Sequence, residues 1–86
     1  MMSPMIDDIR DVLNAHAHLR ADASSISPEA DLFAAGMTSH ASISVMLALE
    51  ERFDIEFPDH MLKRGTFESI ASIESAVTEI SGQVAI

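Results

Sequence analysis

From Arg20 to Thr38 the chain loses helical periodicity and becomes polar and turn-rich, with Ser24, Ser25, Ser27-Pro28 and Gly36. Apolar residues recur at helical spacing on both sides of this stretch, so a long loop must join the first two helices. A loop of that length in a small domain is tolerable only if it is anchored. Leu32 and Phe33 are the expected anchors, helped by Ile26, while Asp22, Glu29 and Asp31 keep its surface acidic.

The flanking segments follow the 3.6-residue repeat. Ser3-Pro4 offers an N-cap and a proline at the first helical position, with Asp7 and Asp8 in the first turn, where the helix dipole favours acids. Met5, Ile6, Ile9, Val12, Leu13, Ala17 and Leu19 form one apolar stripe, predicting a helix over about 4–19. A second helix is expected over 38–53, with Ile43, Met46, Leu49 and Phe53 as its buried stripe and Leu47 partly exposed. The segment Asp54-Ile55-Glu56-Phe57 reads as an extended connector. A short helix over 59–64 stops at Gly65, and a last helix over 66–81, capped by Thr66, presents Phe67, Ile70, Ile73, Val77 and Ile80.

Tyr and Trp are absent and Phe is sparse, whereas Ala, Leu, Ile and Met dominate, which suits helix-on-helix packing better than a β-sandwich. The expectation is one all-α domain over 1–86, a four-helix bundle of three principal helices and one short one. A formal charge of −9, with 14 acidic residues against 5 basic ones, disfavours nucleic acid and anionic membrane as partners. The chain has no cysteine, hence no disulfide framework and no thiol of its own. No charged n-region precedes an apolar run, and no apolar stretch approaches the roughly 18–20 residues of a membrane span, so a cytoplasmic protein is expected.

Ser39 falls at the predicted start of the second helix, where unpaired N–H groups and the positive dipole end favour an anion such as a phosphate. Thr38 and Ser39 are equally typical N-cap residues, and position alone does not separate the two roles. A hydrolase reading of Ser39-His40 fails on geometry. Adjacent helical residues diverge by about 100°, and Met37 stands where a nucleophile elbow needs its first glycine. His16 and His18, two apart, point to different sides of a helix and do not converge on a metal. No catalytic and no metal-ligating residue is expected.

The run Asp31-Leu32-Phe33 and Gly36-Met37-Thr38-Ser39, followed by Leu47 through Phe53-Asp54-Ile55-Glu56-Phe57-Pro58-Asp59, resembles the acyl carrier protein family from about Asp31 to Ile73. The resemblance implies that Ser39 is the serine to which 4′-phosphopantetheine is attached from coenzyme A by a phosphopantetheinyl transferase. Thr38 stands where the family usually has Asp, and His40 where it usually has Leu. Fatty-acid-synthesis carriers begin this helix with acids that meet basic partners, but here the turns read His40-Ala41-Ser42-Ile43-Ser44 and acids resume only at Glu50 and Glu51.

Together with Pro58-Asp59-His60-Met61-Leu62-Lys63-Arg64, that sequence is more similar to the small stand-alone aminoacyl carrier proteins. The subfamily implies a carrier, not an enzyme, that holds glycine or alanine as a thioester. Its loading partner would be an amino acid:carrier protein ligase resembling the core of class II aminoacyl-tRNA synthetases, and its downstream acceptor is open. His40, Leu47, Met61, Leu62, Lys63 and Arg64 are the expected partner contacts, and the protein is expected to be a monomer. Two other functions remain: a carrier of acyl, polyketide or nonribosomal-peptide intermediates, and an unmodified helical adaptor with the same fold.

Overall fold

The computed structural model describes residues 4–82. Three α-helices, α1 (Pro4–His16), α2 (Ser39–Phe53) and α3 (Ile70–Gly82), are linked by a long loop and by short 3-10 turns at Ala23–Ser25, Asp59–Met61 and Arg64–Phe67. Among the described residues there is no strand, and the all-α class holds. Helix α1 packs against both α2 and α3. Its Ile9, Val12, Leu13 and Ala17 are buried, and Met5, Ile6 and Leu19 pack partly against them. The expected cap Ser3 lies outside the described residues.

Helix α1 ends at His16 because the backbone turns left-handed at His18 (φ 56°), closing the last turn with an Ala17 N–H to Leu13 carbonyl bond of 2.9 Å. Helix α2 ends likewise at Asp54 (φ 54°), whose N–H bonds the Glu50 carbonyl. That carbonyl also accepts the Ile55 N–H at 3.0 Å, and the Glu50 carboxylate accepts the Phe57 N–H at 2.9 Å. One residue thus turns the chain from α2 into the connector.

The buried face of α2 differs from the stripe expected for it. Ala41, Val45 and Leu49, at a strict spacing of four, are buried, whereas Ile43 is 55% exposed and Met46 and Phe53 are only half-buried. Small and β-branched side chains let α2 approach its neighbours closely, and the longer ones are displaced to the flank.

The 3-10 turns also depart from the helices expected over 59–64 and 66–81. Thr66 is buried and donates its N–H to the Lys63 carbonyl, so it belongs to a turn. Ser69 takes the capping role for α3: its hydroxyl accepts the Ser72 N–H at 3.0 Å. Phe67, in the turn, packs edge-on against Phe57 with ring centroids 5.4 Å apart.

The long loop is fastened at both ends. Arg10 of α1 donates to the carbonyls of Ala23 (3.2 Å) and Ile26 (3.1 Å), and the Asn14 side chain accepts the Ala23 N–H at 2.8 Å. Toward α3, the Leu32 N–H bonds the Glu68 carbonyl at 2.7 Å and the Ala71 N–H bonds the Pro28 carbonyl at 2.9 Å. Leu32 is fully buried, and Phe33 and Ile26 pack partly against the core. Gly36 adopts φ 123°, where a side chain is strained, and brings the loop against the backbone of His18 and Arg20. These contacts fix where Met37-Thr38-Ser39 enters α2.

Candidate functional site

Two hydroxyl residues meet at the start of α2, and the backbone gives them different tasks. Thr38 is extended (φ −87°, ψ 165°), and its Oγ1 accepts the Ala41 N–H at 3.0 Å. It is the cap. Ser39 is the first residue inside the helix and is exposed. Among the described residues no hydrogen bond engages its hydroxyl, while its carbonyl accepts the Ser42 hydroxyl at 2.6 Å. The first turn of α2 contains no acid, so the positive end of the helix dipole beside Ser39 is not neutralised there.

Beside Ser39 opens a groove of about 450 Å³. Phe33 from the loop, Ile43 and Met46 from α2, and Leu62 and Phe67 from the turns make it largely apolar. The Arg64 guanidinium lies 3.9 Å over the Phe33 ring, a cation–π contact that ties loop to turn across one wall. Lys63 also lines the groove, and among the described residues no Asp or Glu does.

The structure brings Ser39, Leu62, Lys63 and Arg64 together around this groove. His40 is exposed at the second position of α2, outside the groove wall, and Leu47 is 56% exposed one turn beyond Ile43. Met61 contradicts its expected place on a contact surface: it is buried in the core. The tight Asp59–Met61 turn, closed by a Met61 N–H to Pro58 carbonyl bond of 2.9 Å, turns Met61 inward and leaves Leu62 46% exposed. Phe33, Ser42, Ile43, Met46 and Phe67 are the wall residues that sequence reasoning missed. The exposure of Ile43 follows once Val45 is taken as the centre of the buried face, but Phe33 and Phe67 meet only through the fold.

Chemically the site offers a hydroxyl in an electropositive position with no base engaging it, next to an apolar surface. Residues 7–77 match the family described as phosphopantetheine attachment site. The chain is 49% identical over 69 residues to the aminoacyl carrier protein of Agrobacterium fabrum strain C58, covering 80% of this chain and 83% of that protein.

Among solved structures, it is similar to a chain in the crystal structure of engineered Bradyrhizobium japonicum glycine:[carrier protein] ligase complexed with carrier protein from Agrobacterium tumefaciens and ATP. That match has a TM-score of 0.86 and 47% identity, covering 88% of this chain and 99% of that one. A chain in the complex of the Bradyrhizobium japonicum ligase with glycylated carrier protein matches at a TM-score of 0.73 and 26% identity, covering 86% and 99%. This chain belongs to the phosphopantetheine-attachment family of carrier proteins, which are not themselves catalytic, and within it to the aminoacyl carrier proteins.

Proposed function

We propose that Ser39 bears 4′-phosphopantetheine and that the protein carries a small amino acid, glycine or alanine, as a thioester to a downstream acceptor. The observation that carries this reading is the uncapped hydroxyl: Thr38 satisfies the helix start, and Ser39 Oγ is left exposed. The prosthetic arm fits there, because attachment breaks no hydrogen bond recorded among the described residues and meets the positive end of α2. Bound, the arm supplies the thiol that a chain without cysteine lacks.

Ser39 Oγ gives up its proton to a base of the phosphopantetheinyl transferase and forms one O–P bond, as the pyrophosphate bond of coenzyme A breaks and adenosine 3′,5′-bisphosphate leaves. Thereafter the domain positions its cargo at partner sites, and tethering raises the effective concentration at each. The cargo class is supported by the glycine:[carrier protein] ligase complexes of the matched structures, one of which holds glycylated carrier. A ligase of that kind is the loading partner, and the exposed His40, Leu47, Leu62, Lys63 and Arg64 are its contact surface. We read residues 1–86 as one carrier domain, acting as a monomer in the cytoplasm, where coenzyme A is at hand.

Intact mass tests the reading in two steps. Incubation with coenzyme A and a broad-specificity transferase is expected to add the arm to wild type and not to Ser39→Ala. The holo protein is then offered glycine, ATP and an amino acid:carrier protein ligase, or malonyl-coenzyme A and a malonyl transferase. Glycylation supports the aminoacyl assignment. Efficient malonylation with no aminoacylation across several ligases assigns an acyl carrier, and no gain of arm mass assigns an unmodified adaptor.

A further inference from the structure

The chain carries −9 overall and has only five cations, so where each is committed is informative. Arg10 is held by the Ala23 and Ile26 carbonyls, Arg20 by the Ala34 carbonyl, and Arg52 by the carboxylates of Asp8 and Asp11. The remaining two, Lys63 and Arg64, are adjacent and exposed, and among the described residues neither meets a carboxylate. Both line the groove beside Ser39, whose other walls are largely apolar, with Ser39 and Ser42 the uncharged polar residues, and which no Asp or Glu lines among the described residues. Asp59 and Glu68, the nearest acids in sequence on either side, are exposed but stand outside it. The surface at the attachment serine is thus opposite in sign to the molecule that carries it.

We infer that this groove is the docking site for an acidic patch on the loading ligase, one carboxylate pairing with Lys63 and Arg64 while an apolar side chain enters between Ile43 and Leu62. The inference rests on the carrier reading above. Charge complementarity selects the occupant: a basic partner surface would be repelled by the two cations, and an uncharged one would leave them unpaired in a newly desolvated interface. The exposed Ile43 and Leu62 supply the apolar centre, and the cations form its rim. Arg64 is held in place by the Phe33 ring, so its fork of donors is presented with little freedom left to lose.

The test uses full-length protein and a ligase shown to load wild type. Binding of apo and holo forms to the ligase is measured directly by calorimetry, and loading kinetics are measured with the holo form, over a range of salt. Conversion to holo is confirmed first by mass, which separates failure of the Ser39 reading from failure of this one. Lys63→Glu with Arg64→Glu is expected to weaken binding and raise KM for the carrier by about tenfold or more at low salt, with kcat little changed. The wild-type affinity should fall as salt rises, and the variant's should not.

Lys63→Glu alone, a substitution that leaves the Phe33 stack intact, is expected to show a smaller effect of the same sign, and circular dichroism checks the fold. Unchanged binding, or tighter binding on charge reversal, would overturn the proposal. So would a phosphorus-31 shift of the holo protein's phosphodiester that moves in the variants while ligase binding does not, since that assigns the cations to the arm.

Discussion

Thr38 and Ser39 differ by one methyl group, yet the backbone turn between them decides which caps the helix and which is left for chemistry. Removing the cap by Thr38→Ala is expected to lower stability by about 1 kcal/mol, read as a lower denaturant midpoint at unchanged m. Ser39→Ala should leave that midpoint in place while abolishing the gain of arm mass. A larger loss from Ser39→Ala than from Thr38→Ala would show that the capping assignment is reversed.

Asp54 is the opposite case, a residue poorly matched to its place. It holds a left-handed φ of 54° at the C-terminus of α2, where its charge also opposes the negative dipole end. Asp54→Gly relieves both, and a gain of up to about 1 kcal/mol is expected in chemical denaturation. A loss would mean that the Asp54 side chain stabilises the turn in a way its hydrogen bonds do not reveal.

At the level of helices, the buried face of α1 was readable from the sequence because its large apolar residues fall on one stripe, although the helix stops at His16 and not at the expected residue 19. The buried face of α2 was not, because the helix carries two apolar faces that periodicity alone cannot rank. Ala41, Val45 and Leu49 face the core, while Ile43, Met46 and Leu47 are exposed or half-exposed, and the bulk of the second set drew the expected stripe toward it. The distinction has a stability consequence. Leu49→Ala is expected to cost about 2–5 kcal/mol, whereas Ile43→Ser should stay within about 0.5 kcal/mol of wild type. Equal losses in thermal melts would restore the discarded helical phase.

Ser39, the proposed attachment residue, could be singled out in the sequence because its signal is local, a hydroxyl at a helix start followed by a characteristic run to Asp59. The groove could not be, since its walls come from the loop, α2 and the 3-10 turns, and the inward turn of Met61 beside the outward Leu62 depends on turn geometry that no residue pattern encodes.

Across the whole molecule, the long loop behaves as a strut between α1 and α3. Asn14 is one of its fixings: its side chain accepts the Ala23 N–H and donates to Asp22. Asn14→Ala should therefore speed amide exchange at Ala23 while leaving Ile73 of α3 protected, and uniform loosening would show that the loop is not a separable part.

Asp22 adds a dependence on pH. Hydrogen bonds from the Ser24 hydroxyl, then the Ser24 N–H, then Asn14, hold its carboxyl below the ordinary 3.8. The stabilisation is complete above that value and is lost as pH falls through the lowered one, because the protonated acid forfeits those bonds. Asp22→Asn is expected to flatten the stability curve below pH 3.8, measured by urea midpoints across the acid range, with the curve above it parallel to wild type.

The two faces of α2 also bear on descent. A substitution at Ala41, Val45 or Leu49 puts the fold at risk, but one at the exposed Ile43 or Leu47 leaves the core alone and, on the function proposed above, changes only the surface offered to a partner. With that surface as the docking face, a lineage of such carriers would exchange one partner for another by single steps, each intermediate still folded and still bearing its serine.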